Sequence, residues 1–105
     1  MDPRTERVAK NEALFREVNE RIKDVTGYEN AEYLCECGKA TCTETIPMTM
    51  SDYEILRSDA RQFVVLPGHE IPDLEDVVAR SDKFLVVRKK PGEPTALAEE
   101  RDPRN

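Results

Sequence analysis

Cys35, Cys37 and Cys42 are the chain's only cysteines, and its single histidine, His69, follows Pro67-Gly68. Three thiolates and one imidazole form a complete tetrahedral ligand set for zinc. The run Cys35-Glu36-Cys37-Gly38 brings two sulfurs onto one short turn, and Gly38 is expected to take positive φ so that the loop folds back. Cys42 returns a third sulfur to the same point, and a second loop, Pro67-Gly68-His69, supplies the nitrogen. The predicted metal ligands are therefore Cys35, Cys37, Cys42 and His69, with zinc the expected metal and a structural staple the expected role. A catalytic zinc keeps one position open beside a general base. Here side chains take all four positions, and Glu70 next to His69 reads as a solvated loop carboxylate. Four glycines include no phosphate-cradling loop. No catalytic residue and no organic cofactor are expected, so the chain reads as a non-enzyme.

The rest of the chain must position those four side chains with little core. It has 105 residues, 38% hydrophobic and 36% charged, with three tyrosines, three phenylalanines and no tryptophan. With its ends set aside, about 60 residues remain for a folded unit, a size that is marginal without a metal, disulfide or partner. The net charge of −6 argues against general affinity for nucleic acid or an anionic membrane. No apolar run approaches the roughly 18 residues of a membrane span, and the charged N-terminus lacks the apolar stretch of a signal peptide. An odd, clustered cysteine count then favours a reduced, cytoplasmic setting and metal over disulfides.

The elements read as an α+β fold: a long N-terminal helix, the Cys3His zinc knuckle, a short second helix and a small, mostly antiparallel sheet. Residues 1–26 form the helix, with Asp2 as N-cap, Pro3 at the first helical position and Gly27 as the stop. Val8, Phe15, Val18, Ile22 and Val25 make a heptad stripe in which Asn11 takes a d position. That stripe fits either docking on the rest of the chain or association with a partner or second copy. Residues 27–90 form the zinc-stapled α+β domain. Extended segments Glu32–Cys35 and Glu44–Met48 flank the knuckle, with Pro47 placing the second at a sheet edge. Thr49 or Ser51 caps a helix ending near Ser58 or Asp59, with Tyr53, Leu56 and Ile55 facing inward. Phe63–Leu66 reads as a buried strand, and Val77–Arg80 with Phe84–Val87 as a hairpin across Ser81–Lys83. Asp73–Arg80 also fits a helical period, but its β-branched residues directly before the turn favour the hairpin. Residues 91–105 lack apolar periodicity and are expected to be a disordered tail.

Taken jointly, Cys35-Glu36-Cys37-Gly38, Cys42, Asp52-Tyr53-Glu54, Phe63, Pro67-Gly68-His69-Glu70 and Val86-Val87, behind the helix Asn11–Ile22, resemble a family of short actinobacterial proteins, largely uncharacterised. The resemblance spans residues 10–89 and implies that helix, knuckle and Pro-Gly-His turn belong to one unit; it implies no activity. Two other Cys-x-Cys patterns fit less well. CDGSH-type iron–sulfur proteins also use three cysteines and one histidine, but with the histidine close behind the last cysteine. The SWIM finger closes with Cys-x-His, whereas Thr43-Glu44 follows Cys42.

The expected function is a small protein-interaction or regulatory module whose first helix docks on a protein partner or on a second copy. A zinc-dependent nucleic-acid-binding regulator is the second reading, motivated by Arg57, Arg61, Arg88, Lys89 and Lys90. A thiol redox sensor that loses zinc on oxidation is the third.

Overall fold

The computed structural model describes residues 3–26 and 30–104, so the expected cap Asp2 and stop Gly27 lie outside the described residues. In chain order the elements are α1 (Pro3–Thr26), β1 (Asn30–Leu34), β2 (Thr45–Thr49), α2 (Met50–Arg57), β3 (Gln62–Val65), β4 (Glu75–Arg80), β5 (Leu85–Lys89) and α3 (Glu93–Glu100). The α+β class holds, but the strands form two antiparallel sheets rather than one. β1 pairs with β2, and β3, β5 and β4 lie side by side in that order. The expected hairpin is β4–β5, closed by the Ser81 amide donating to the Phe84 carbonyl at 2.9 Å, with a bulge between Val77 and Ala79. Pro47 sits opposite Glu32 in a two-stranded sheet, where each strand has a free edge. Thr49 caps α2, its hydroxyl accepting from the Asp52 amide at 3.0 Å. Ile55 on that helix is 69% exposed, contrary to the inward placement expected of it, while Tyr53, Leu56 and Arg57 are buried.

The core lies where the two sheets and α2 meet. Ile46, Met48, Leu56, Phe63, Val64, Val65, Leu85 and Val87 fill it. Tyr33 from β1 stacks on Tyr53 from α2, ring centres 4.4 Å apart, a contact worth about 1 kcal/mol beyond burial.

The long helix behaves differently from its heptad reading. Its inward line is Thr5, Val8, Glu12, Arg16 and Asn19, all buried and all but one polar, whereas Val18 is 37% and Val25 83% exposed. A buried polar group is tolerated only when hydrogen-bonded, and each long side chain on this line is tied to another element. Glu12 meets the Lys89 ammonium at 2.7 Å, and Lys89 also holds Glu75 at 2.6 Å. The Arg16 guanidinium lies 3.7 Å over the Phe63 ring and donates to the carbonyls of Ala60 at 2.7 Å and Gln62 at 3.0 Å.

The C-terminal segment is a further correction. Residues 93–100 form α3 with Leu97 and Ala98 buried, and α3 packs against α1 and β5. Pro94 near its start and Thr95, whose hydroxyl donates to the Lys90 carbonyl at 2.8 Å, set the helix entry. Beyond it, Asp102 pairs with the buried Arg57, and Arg104 bridges Glu20 of α1 and Glu54 of α2 at 2.7 Å each. These charged anchors have no hydropathy signature. Among the described residues no helix is long and apolar enough to cross a membrane.

Candidate metal centre

The knuckle is the loop joining β1 to β2, and its partner is the loop leaving β3. Two backbone bonds shape the first: the Cys35 amide donates to the Glu44 carbonyl at 3.1 Å, and the Cys42 amide to Lys39 at 3.0 Å. The second loop turns as the His69 amide donates to the Leu66 carbonyl at 2.9 Å. Gly68 supplies that turn with φ 91°, a conformation that L side chains resist. Its amide donates to Glu70 Oε1 at 2.7 Å, so that carboxylate is spent on the loop.

All four predicted residues come together. One ligand atom from each of Cys35, Cys37, Cys42 and His69 lies within 4.8 Å of every other. His69 enters through Nδ1, 3.5 Å from Cys35 Sγ and 3.7 Å from Cys42 Sγ. A tetrahedral zinc with Zn–S of about 2.3 Å and Zn–N of about 2.05 Å has an S···N edge of about 3.6 Å. The two S···N separations lie close to that edge. Cys35 and Cys37 are buried, while Cys42 is only partly so.

Backbone amides are already aimed at the sulfurs. The Leu66 amide donates to Cys35 Sγ at 3.2 Å, joining the two loops directly. Cys37 is held well below the ordinary thiol range, first by the Cys35 thiol and then, against burial, by His69 and the Lys39 amide. Donating that hydrogen bond and being buried push Cys35 up, and burial raises Cys42. Three sulfurs this close cannot all ionise alone, and a divalent cation removes that conflict.

What fixes the knuckle is a set of residues that hydropathy does not reveal. Glu36, between the two leading cysteines, is fully buried. Its Oε1 accepts from the Val64 amide at 3.1 Å, and its Oε2 from Tyr53 Oη at 2.6 Å and Asn19 Nδ2 at 2.9 Å. The Glu36 amide donates to the Val64 carbonyl at 2.7 Å, so the knuckle adds a pairing to β3. Asn19 also exchanges two bonds with Leu34, accepting from its amide at 2.7 Å and donating to its carbonyl at 2.9 Å. Its amide thus stands in for a neighbouring strand just before Cys35.

Gly38 does not take the positive φ expected of it; Gly68 and Gly92 are the glycines that do, among the described residues. It is small because α1 passes over it: a Cβ there would lie 2.5 Å from Val8 Cγ1. Asn11, which the heptad placed at a d position, donates from Nδ2 to the Gly38 carbonyl at 2.9 Å. The available sequence signal was polar: Glu12, Arg16 and Asn19 follow the same four- and three-residue spacing as an apolar stripe.

The basic residues behind the nucleic-acid reading do not form a free patch. Arg57 pairs with Asp102 and Glu20, Arg61 and Arg88 share Asp59, Lys89 is buried between Glu12 and Glu75, and Lys90 meets Asp76. Comparison with protein-family models, curated proteins and solved structures finds no match for this chain.

Proposed function

We propose that this chain is a small zinc-binding interaction or regulatory module, in which zinc on Cys35, Cys37, Cys42 and His69 is a structural staple. The observation that carries the reading is the pair of S···N separations, 3.5 and 3.7 Å, against the tetrahedral edge of about 3.6 Å. A staple role is supported by where the ligands sit. Three come from the β1–β2 loop and one from the β3–β4 loop, so one ion ties the two sheets together. A full protein ligand set and the engagement of Glu70 by Gly68 favour a metal that does no chemistry. Zinc fits mixed thiolate and imidazole donors in tetrahedral array better than harder ions do.

The interaction role falls to the outward side of α1. Leu14, Val18 and Val25 are exposed there, 58%, 37% and 83%, at spacings of four and seven that bring them to one side. The face offered to a partner lies about 100° round the helix from Val8, which is spent on the knuckle, and continues from Asn11 at its edge. The pairing of all five basic residues disfavours the nucleic-acid alternative.

Metal analysis of protein purified without added zinc, with its mass in solution, tests the proposal. One zinc per chain, lost in Cys42→Ser, is the expected result; a metal-free folded protein refutes the staple. An assembly that Leu14→Glu with Val25→Glu dissociates supports the α1 role, and an assembly unchanged by it removes that role.

A further inference from the structure

We propose that the zinc site is also an oxidation switch, in which hydrogen peroxide joins Cys37 to Cys42 as a disulfide and thereby releases the metal. This rests on the zinc reading above and adds its regulation. The three sulfurs are not equivalent. Cys35 is 1% exposed, anchored at its own amide by Glu44 and at its sulfur by the Leu66 amide. Cys42 is the most exposed of the three. Cys37 borders an open cavity of about 410 Å³ with Gly38, Lys39, Gly68, His69 and Ile71. Cys42 is therefore the thiol that a small oxidant reaches first, while Cys37, only 3% exposed, borders the cavity and Cys35 does not.

The backbone decides which pair can close. Cys35 and Cys37 are separated only by Glu36, which is pinned through Val64, Tyr53 and Asn19. A bond between them would require that fully buried residue to move, and disulfides demand specific Cα and Cβ placement. Cys37 and Cys42 are joined instead by a turn, Lys39 carbonyl to Cys42 amide, that already returns one sulfur to the other.

The chemistry balances with peroxide as oxidant. The Cys42 thiolate attacks one peroxide oxygen, the O–O bond breaks, and hydroxide leaves to take a proton from solvent. The Cys37 thiolate then attacks the Cys42 sulfenic sulfur; the S–S bond forms and the S–O bond breaks, releasing a second hydroxide that is also protonated. Two thiolates have lost two electrons, and peroxide has become two waters. Zinc is left with Cys35 and His69 alone, two ligands where a structural site needs four.

The test is a peroxide titration of the zinc-loaded protein, reading free zinc with a colorimetric chelator and disulfides by peptide mass. Trypsin cuts after Lys39, so a Cys37–Cys42 bond links peptides 24–39 and 40–57, and fragmentation of the linked pair after alkylation must place the alkyl group on Cys35 rather than Cys37. The expected result is stoichiometric zinc release with that linkage, reversed by a dithiol reductant and added zinc. Retention of zinc under a hundredfold excess of peroxide overturns the switch, as does release with Cys35 in the disulfide or with sulfinic acids alone. All three outcomes leave the zinc staple standing. A protein that holds no zinc before peroxide is added overturns both readings.

Discussion

Replacing Glu36 by Gln tests whether the residue between the two leading cysteines is the keystone of the knuckle. The carboxylate accepts three hydrogen bonds and donates none: Val64 N–H on one oxygen, and Asn19 Nδ2 and Tyr53 Oη on the other. A glutamine keeps the shape but turns one oxygen into an NH2 group. In one orientation that group faces the Val64 amide; in the other it faces Asn19, whose own orientation is locked by its two bonds to Leu34. Either way donors meet donors in a site closed to water. Loss of charge-assisted bonds plus an unsatisfied buried donor costs about 2–4 kcal/mol. With a urea slope of about 1.5 kcal/mol per molar, the midpoint falls by about 1–3 M. The assay is urea unfolding of zinc-saturated protein, with Glu32→Gln on the exposed part of β1 as control. Chelator competition should show zinc affinity reduced on the order of tenfold, because the loop that presents the sulfurs is loosened. A midpoint shift no larger than that of Glu32→Gln would refute the reasoning, since Glu36 would then be solvated in the protein in solution.

Two further outcomes follow from the way α1 is seated. Gly38→Ala places a Cβ 2.5 Å from Val8 Cγ1, and overpacking of this kind costs about 1–3 kcal/mol. Adding Val8→Ala removes the clashing methyls, so the double variant should be more stable than the sum of the two single effects; additivity in thermal unfolding sinks the close-approach account. The second outcome is a pH dependence. Burial pushes Glu12 up to about 7 against the pull of Lys89, while Glu75 beside it adds to the rise. The folded value lies above the unfolded one, so the folded state binds more protons between about pH 4.5 and 7, and stability falls as pH rises through that window. The slope is at most about 1.4 kcal/mol per pH unit. Glu12→Gln should flatten it relative to wild type, the metal ligands being common to both proteins. Glu54, held at about 2 first by Arg104 and then by Lys23, acts with the opposite sign and only at pH values below that window. Equal slopes for the two proteins between pH 5 and 8 would show that Glu12 is not the group responsible.

The sequence alone picked out the four residues that come together and the order of the elements as far as β5. Four soft or borderline donors in two loops identify themselves by type, because nothing else in the chain offers that chemistry. The Thr49 cap and the β4–β5 hairpin were legible for the same reason: each is a local signal, read within a few residues. What only the tertiary structure decided is which side of α1 turns inward and why. Hydropathy places Val8, Phe15, Val18, Ile22 and Val25 against the core; Val8 is buried and Ile22 packs on the core, but Val18 and Val25 are exposed and the chain buries Glu12, Arg16 and Asn19 instead. Each of these has a partner far away in sequence: Lys89, the carbonyls of Ala60 and Gln62, and Leu34 with Glu36. A buried polar side chain is favourable only once its distant partner is in place, and no local pattern records that partner. The same holds for the tail, where Asp102 and Arg104 look solvated in sequence and lock α1 to α2 in space. Ligand chemistry was written in residue types; the shell that holds the ligands was written in long-range pairings.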